Sequence, residues 1–162
     1  PRSRGLGDVY KRQIQTSWEE YVFRGYLMQG IGGIIKNKWI PLLTTSLLFG
    51  FLHYWNPEVM KLGPFLLIHY VTTGLFLGIV TLMDKGMELA LGFHAGNNVL
   101  IALLVTADWT VLQTNSVLIS IGEPELFSLL VPLFIIYFLV LVYFSKKYNW
   151  KNWKENLTGR FN

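Results

Sequence analysis

Long apolar runs separated by short polar gaps constrain this chain more than any other feature. Five runs come close to the ~20 residues that a bilayer core asks of a helix. They cover residues 17–35 (span A), 39–55 (span B), 62–83 (span C), 87–107 (span D) and 125–144 (span E). Lipid offers no partner to an open backbone, so such runs must form helices or a closed barrel. None shows the strict alternation of a barrel strand, which selects helices. The expected fold is all-α, a polytopic transmembrane helix bundle with about five spans. Turn chemistry fills the gaps: Lys36-Asn37-Lys38, Asn56-Pro57-Glu58, Asp84-Lys85-Gly86, and a longer stretch holding Asn115, Gly122 and Pro124.

Composition narrows the function classes. Only 15% of residues are charged and 52% are hydrophobic, where a soluble domain carries roughly a quarter charged. Cysteine is absent, which excludes a disulfide framework and a thiolate metal site. The net charge of +4 does not accompany a basic patch interleaved with aromatics, so no nucleic-acid partner is expected. The charge fits loops and tails beside anionic lipid. Lys36, Lys38, Lys85, Lys146, Lys147, Lys151, Lys154 and Arg160 collect on one side of the spans, against Lys61 and the acidic Asp108, Glu123 and Glu125 on the other. The positive-inside rule then puts the C-terminus in the cytoplasm.

Residues 1–13 are polar, rich in Arg and Gly, and without periodicity. They resemble translated sequencing-adapter read-through and are expected to be a non-native or disordered leader. Residues 14–145 would form the membrane bundle and 146–162 a basic cytoplasmic tail.

Three polar patterns interrupt the apolar runs. Span A carries Glu19, Glu20 and Arg24. A carboxylate at membrane depth costs several kcal/mol unless paired, hydrated or protonated. Glu20 and Arg24 are four apart and can pair on one helix face. Glu19 points about 100° away, without a partner in its own helix. Such a carboxylate suits general-base and then general-acid work near neutral pH. The competing reading is an interfacial helix with solvated charges.

Span B ends on Phe49 and His53, beside Tyr54 and Trp55. A lone histidine there could belong to an interfacial aromatic belt. Span D holds His94 and Asn98, four apart and so on one face. Taken alone, that pair could be an interhelical hydrogen bond worth ~0.6–2 kcal/mol. Gly74 with Gly78, and Gly92 with Gly96, have small-xxx-small spacing and are expected at tight helix contacts. His69, Gln29 and Asn97 are further polar intruders, and His69 is expected to pair with Thr72 or Thr73.

A carboxylate, two histidines and an amide on three spans can meet only if the helices bundle. Their order resembles the CPBP family, which includes CAAX prenyl proteases and bacterial Abi-type bacteriocin-processing or self-immunity proteins. The matching residues are Glu19-Glu20/Arg24, Phe49/His53 and His94/Asn98. The resemblance covers residues 17–105 and implies an eight-span protein whose C-terminal part is present here. It implies an intramembrane endopeptidase in which Glu19 and His53 activate water while His94 and Asn98 form an oxyanion hole. Glu20 and Arg24 would be a structural pair, and Phe49 would pack beside His53.

The resemblance favours metal-independent glutamate catalysis, with no cofactor. The alternative is Zn²⁺ held by Glu19, His53 and His94, which has the three protein ligands of a catalytic zinc site but lacks the H-E-x-x-H pattern. Expected partners are a peptide or protein substrate, membrane-associated or not, and the lipid bilayer of a bacterial inner membrane. Competing functions are a non-catalytic immunity or membrane-binding protein, and an ion or proton carrier relaying through Glu19 and the histidines.

Overall fold

A computed structural model describes residues 6–107, 110, 116–120, 122 and 125–161. The first five residues of the expected leader lie outside these, as do Asp108, Asn115, Glu123 and Pro124. Eight α-helices account for most of the described chain: α1 (Leu6–Glu20), α2 (Met28–Ile35), α3 (Trp39–Leu52), α4 (Pro57–Leu62), α5 (Leu67–Asp84), α6 (Glu88–Leu104), α7 (Leu126–Lys147) and α8 (Trp153–Thr158). Among the described residues the strands are a parallel pair of two residues each, β1 (Val105–Thr106) and β2 (Leu118–Ile119).

The turn chemistry acts as its residue types dictate. Lys36 and Lys85 take left-handed backbone at φ 54° and 59°, ending α2 and α5. The Asn37 Oδ1 then accepts from the Trp39 N–H at 2.8 Å, satisfying one of the orphan donors that open α3. Pro57 starts α4, where its missing N–H costs nothing.

Span A is not one uniform helix. Residues Tyr21–Leu27 form a π-helix between α1 and α2. Such widened turns are rare and often lie at functional sites. Part of the expected leader, from Leu6 onward, continues into α1 as helix.

Among the described residues, two helices are long and apolar enough to cross a membrane: Pro64–Asp84, which is α5 with its preceding 3₁₀ turn, and α7. The apolar α3 and α6 are shorter, at 14 and 17 residues. On α7 the buried residues are Leu130, Tyr137 and Phe144, one face at seven-residue spacing. Phe127, Val131, Phe134, Ile135, Phe138 and Leu139 are exposed around the rest. A helix apolar on every side is either enclosed by protein or meets lipid, and among the described residues α7 is covered on one face alone.

The centre is the α3–α5 contact. A Cβ on Gly74 would stand 3.0 Å from Ser46 Cα, 3.1 Å from Ser46 O and 3.3 Å from Phe49 Cβ. One on Gly78 would meet Leu42 and Met28 side chains. The first glycine pair therefore does mark a tight contact. The second does not, because Gly92 and Gly96 face open space. Gly74→Val is expected to destabilise the bundle by about 1–3 kcal/mol, because the obstruction is backbone and cannot rotate away. Gly96→Ala should be near neutral. Reversible unfolding in mixed detergent micelles compares them, and equal stability of the two variants would contradict this packing.

Phe76, Leu77, Val80, Met83, Ala90, Tyr137, Phe144 and Trp150 form the larger apolar cluster, joining α5, α6, α7 and the start of the tail. The tail folds back onto it. Trp150 Nε1–H donates to Asp84 Oδ1 at 3.3 Å, and the Lys38 N–H donates to Gly159 O at 3.0 Å.

Candidate active site

The site is assembled where α1 lies against α6, with α3 and α5 alongside. Thr16 and Glu20 share a face of α1, four residues apart. His94 and Asn98 share a face of α6, also four apart. The helices run antiparallel, so the pairs meet as two rungs. Asn98 Nδ2–H donates to Thr16 Oγ1 at 2.8 Å, and His94 Nδ1 lies 2.7 Å from Glu20 Oε1.

Glu20 is fully buried, and Arg24 is 1% exposed. Arg24 NH1 donates to Glu20 Oε1 at 3.0 Å, as the i,i+4 spacing predicts. Its NH2 donates to the Gly74 carbonyl at 3.0 Å, and its guanidinium carbon sits 4.9 Å from the Phe49 ring centre. One arginine thus ties α1 to α5 and α3. An oxygen that accepts from Arg24 is a carboxylate oxygen, so the 2.7 Å contact is a charge-assisted Nδ1–H···O bond from His94. Glu20 is therefore more than half of a structural ion pair. It also fixes the ring of His94.

That bond leaves His94 Nε2 facing Glu19 Oε2, at 3.8 Å. Glu19 is less buried than Glu20, with its side chain 14% exposed. It is not partnerless within its own helix, contrary to expectation: Gln15 Nε2–H donates to Glu19 Oε1 at 2.9 Å, one turn upstream. The second oxygen stays directed at the histidine.

His53 caps the end of α3. Its Nδ1 lies 2.6 Å from Phe49 O. A carbonyl can only accept, so Nδ1 carries a proton, and in the neutral ring Nε2 is the nitrogen with the lone pair. Tyr70 stacks on the imidazole at 4.2 Å between ring centres, with planes 19° apart. Tyr70 OH accepts in turn from Asn56 Nδ2–H at 3.2 Å. Phe49 borders both histidines, at 4.7 Å from His53 and 6.1 Å from His94. The structure thus brings Glu19, Glu20, Arg24 and His94 into direct contact, holds Asn98 one helical turn from His94 against Thr16, and ties His53 to them through Phe49.

His69 lies on the far edge of Tyr70, at 5.1 Å between rings. The expected pairing of the His69 side chain with Thr72 or Thr73 is not formed: Thr73 Oγ1 donates to the His69 backbone carbonyl at 2.9 Å, and His69 Nδ1 is buried without a hydrogen-bond partner among the described residues. Sequence reasoning missed Thr16, Gln15, Tyr70 and the Gly74 carbonyl. Thr16 had a signal, since it stands at the same four-residue interval before Glu20 as His94 before Asn98. Among the described residues, no group of three His, Asp or Glu side chains is disposed to hold a metal ion.

Known proteins bear on this arrangement. The profile of a family described as type II CAAX prenyl endopeptidase Rce1-like matches residues 14–100. That stretch contains every polar residue described above. A protein of Bacillus subtilis (strain 168) named uncharacterized protein YyaK is 37% identical over 115 residues, 71% of this chain and 36% of the relative. The chain thus spans about a third of the length of the curated relative it matches. No solved structure matches.

Proposed function

This chain belongs to the Rce1-like family of type II CAAX prenyl endopeptidases, and from that premise we propose that it is an intramembrane endopeptidase acting without a metal. One observation carries the reading. A carboxylate and an imidazole from segments 74 residues apart meet at 2.7 Å inside the bundle, with a second carboxylate at the other ring nitrogen.

In the proposed reaction, Glu19 Oε2 takes a proton from a water that His53 Nε2 helps to orient. The water oxygen attacks the scissile carbonyl. With both nitrogens protonated, His94 gives one N–H to Glu20 and the other to the developing oxyanion. The Asn98 amide supplies a second N–H. Glu19 then returns the proton to the leaving amine, and the C–N bond breaks to give an acid and an amine. Glu20 and Arg24 hold His94 rather than touch the substrate.

The five runs are proposed to cross a bacterial inner membrane as the C-terminal part of an eight-span bundle. Residues 146–162 would face the cytoplasm. The exposed apolar girdle of α7 supports lipid contact. The substrate class is a peptide or protein segment reaching this depth.

A zinc site would need Glu19, His53 and His94 together. In the neutral ring, the proton on His53 Nδ1 leaves Nε2 for such a role. The test is hydrolysis of two internally quenched CAAX-type peptides, one prenylated and one not, by purified protein in detergent. Activity is expected to persist after exhaustive chelation. Loss on chelation with recovery on added Zn²⁺ would overturn the metal-independent mechanism. Cleavage of neither peptide would overturn the endopeptidase reading.

A further inference from the structure

We propose that Thr16 is a positioning residue that sets which edge of the Asn98 amide faces the substrate. The inference rests on the reading of Asn98 as an oxyanion donor. Thr16 lies one turn before Glu20, ahead of the Glu19-Glu20/Arg24 pattern, and is 1% exposed. It accepts the Asn98 Nδ2–H at 2.8 Å.

The need for such a residue follows from the chemistry of an amide. Asn98 can turn its carboxamide by half a revolution at little internal cost, because that torsion is broad and roughly two-fold. In one orientation it offers N–H groups. In the other it offers a carbonyl oxygen, which would repel a developing oxyanion. A neighbour must choose between them.

The Thr16 hydroxyl oxygen accepts from Asn98 Nδ2–H, and an acceptor at that place selects the NH₂ edge of Asn98. One N–H of that group is held by Thr16, and the other stays available. The β-branch restricts χ1, and burial at the α1–α6 contact restricts it further.

The same two helices carry the second rung, Glu20 to His94. Each rung orients one oxyanion donor: a carboxylate holds the imidazole by its Nδ1–H, and a hydroxyl holds the amide by one N–H. The functional face of α1 therefore extends one turn beyond the paired glutamates. Both donors on α6 are aimed from α1, so a small rotation of either helix would misalign the two together.

The experiment uses the full chain and the two quenched peptides. Thr16→Val keeps the shape and removes the acceptor. It is expected to lower kcat about 10-fold with KM unchanged, and Thr16→Ser should restore most of the loss. Asn98→Ala is expected to lower kcat about 10²-fold or more. The double variant Thr16→Val/Asn98→Ala should be no worse than Asn98→Ala alone.

Thr16→Val with full activity beside an impaired Asn98→Ala would overturn the positioning role and leave the oxyanion reading standing. So would additive losses in the double variant, or no rescue by serine. An Asn98→Ala variant as active as the parent would instead remove the oxyanion reading, and this inference with it. If Thr16→Val does not fold, Thr16→Ala replaces it, and full activity there counts against the role in the same way.

Discussion

Glu19→Gln is expected to lower kcat by about 10²–10⁴-fold, the usual range for a general acid–base group, with the fold retained. The argument lies in the contrast between adjacent carboxylates. Glu20 is fully buried and accepts from both Arg24 and His94 through one oxygen. It is committed to holding the bundle and the ring. Glu19 has one oxygen on Gln15 and the other 3.8 Å from His94 Nε2, with its side chain partly open to a substrate. Glutamine keeps the size and can still accept from Gln15, so chemistry should fall without stability. Turnover of the quenched peptide and the unfolding midpoint in micelles measure the two effects separately. A Glu19→Gln enzyme keeping more than a tenth of parental turnover would remove Glu19 from the proposed mechanism.

Arg24→Leu should be the most destabilising single change near the site, at about 3–5 kcal/mol. It leaves a fully buried carboxylate with His94 as its one remaining donor and takes the Arg24 N–H away from the Gly74 carbonyl. Breaking one half of a buried pair is costly because the other half cannot be rehydrated in place. Arg24→Lys should recover only part of this. An ammonium can meet Glu20, but it does not span to Gly74 from α1 with the planar, forked geometry of a guanidinium. Reversible unfolding in mixed micelles reads both variants. A loss below about 1 kcal/mol in Arg24→Leu would mean that Glu20 finds another partner or takes up a proton.

The parts of this architecture that depend on helical periodicity were legible in the sequence. Glu20 with Arg24, and the shared face of His94 and Asn98, follow from four-residue spacing alone. The close approach at Gly74 and Gly78 follows from small side chains at the same interval. Contacts between helices were not legible, because they depend on rotation and depth that no single segment encodes. Nothing in the local sequence says that Glu20 rather than Glu19 takes the Nδ1–H of His94. Thr16 carries only its four-residue interval before Glu20, and its partner Asn98 is evident only once α6 is laid beside it. Tyr70 gives no sign of stacking on a histidine two elements away. Gly92 and Gly96 show the converse: the spacing of a packing motif without a neighbour to pack.

The π-helical stretch Tyr21–Leu27 has a consequence for how this segment can vary. A widened turn holds an extra residue, so α1 and α2 are out of phase with each other. A helical wheel drawn through both would misplace either the glutamates or Met28. Removing one residue there would leave composition and hydropathy almost untouched, yet would turn α1 by about 100° against α2. Thr16, Glu19 and Glu20 would swing off α6 together. In this part of the chain, insertions and deletions act as a crank on the whole upstream helix, and length is under tighter constraint than residue identity.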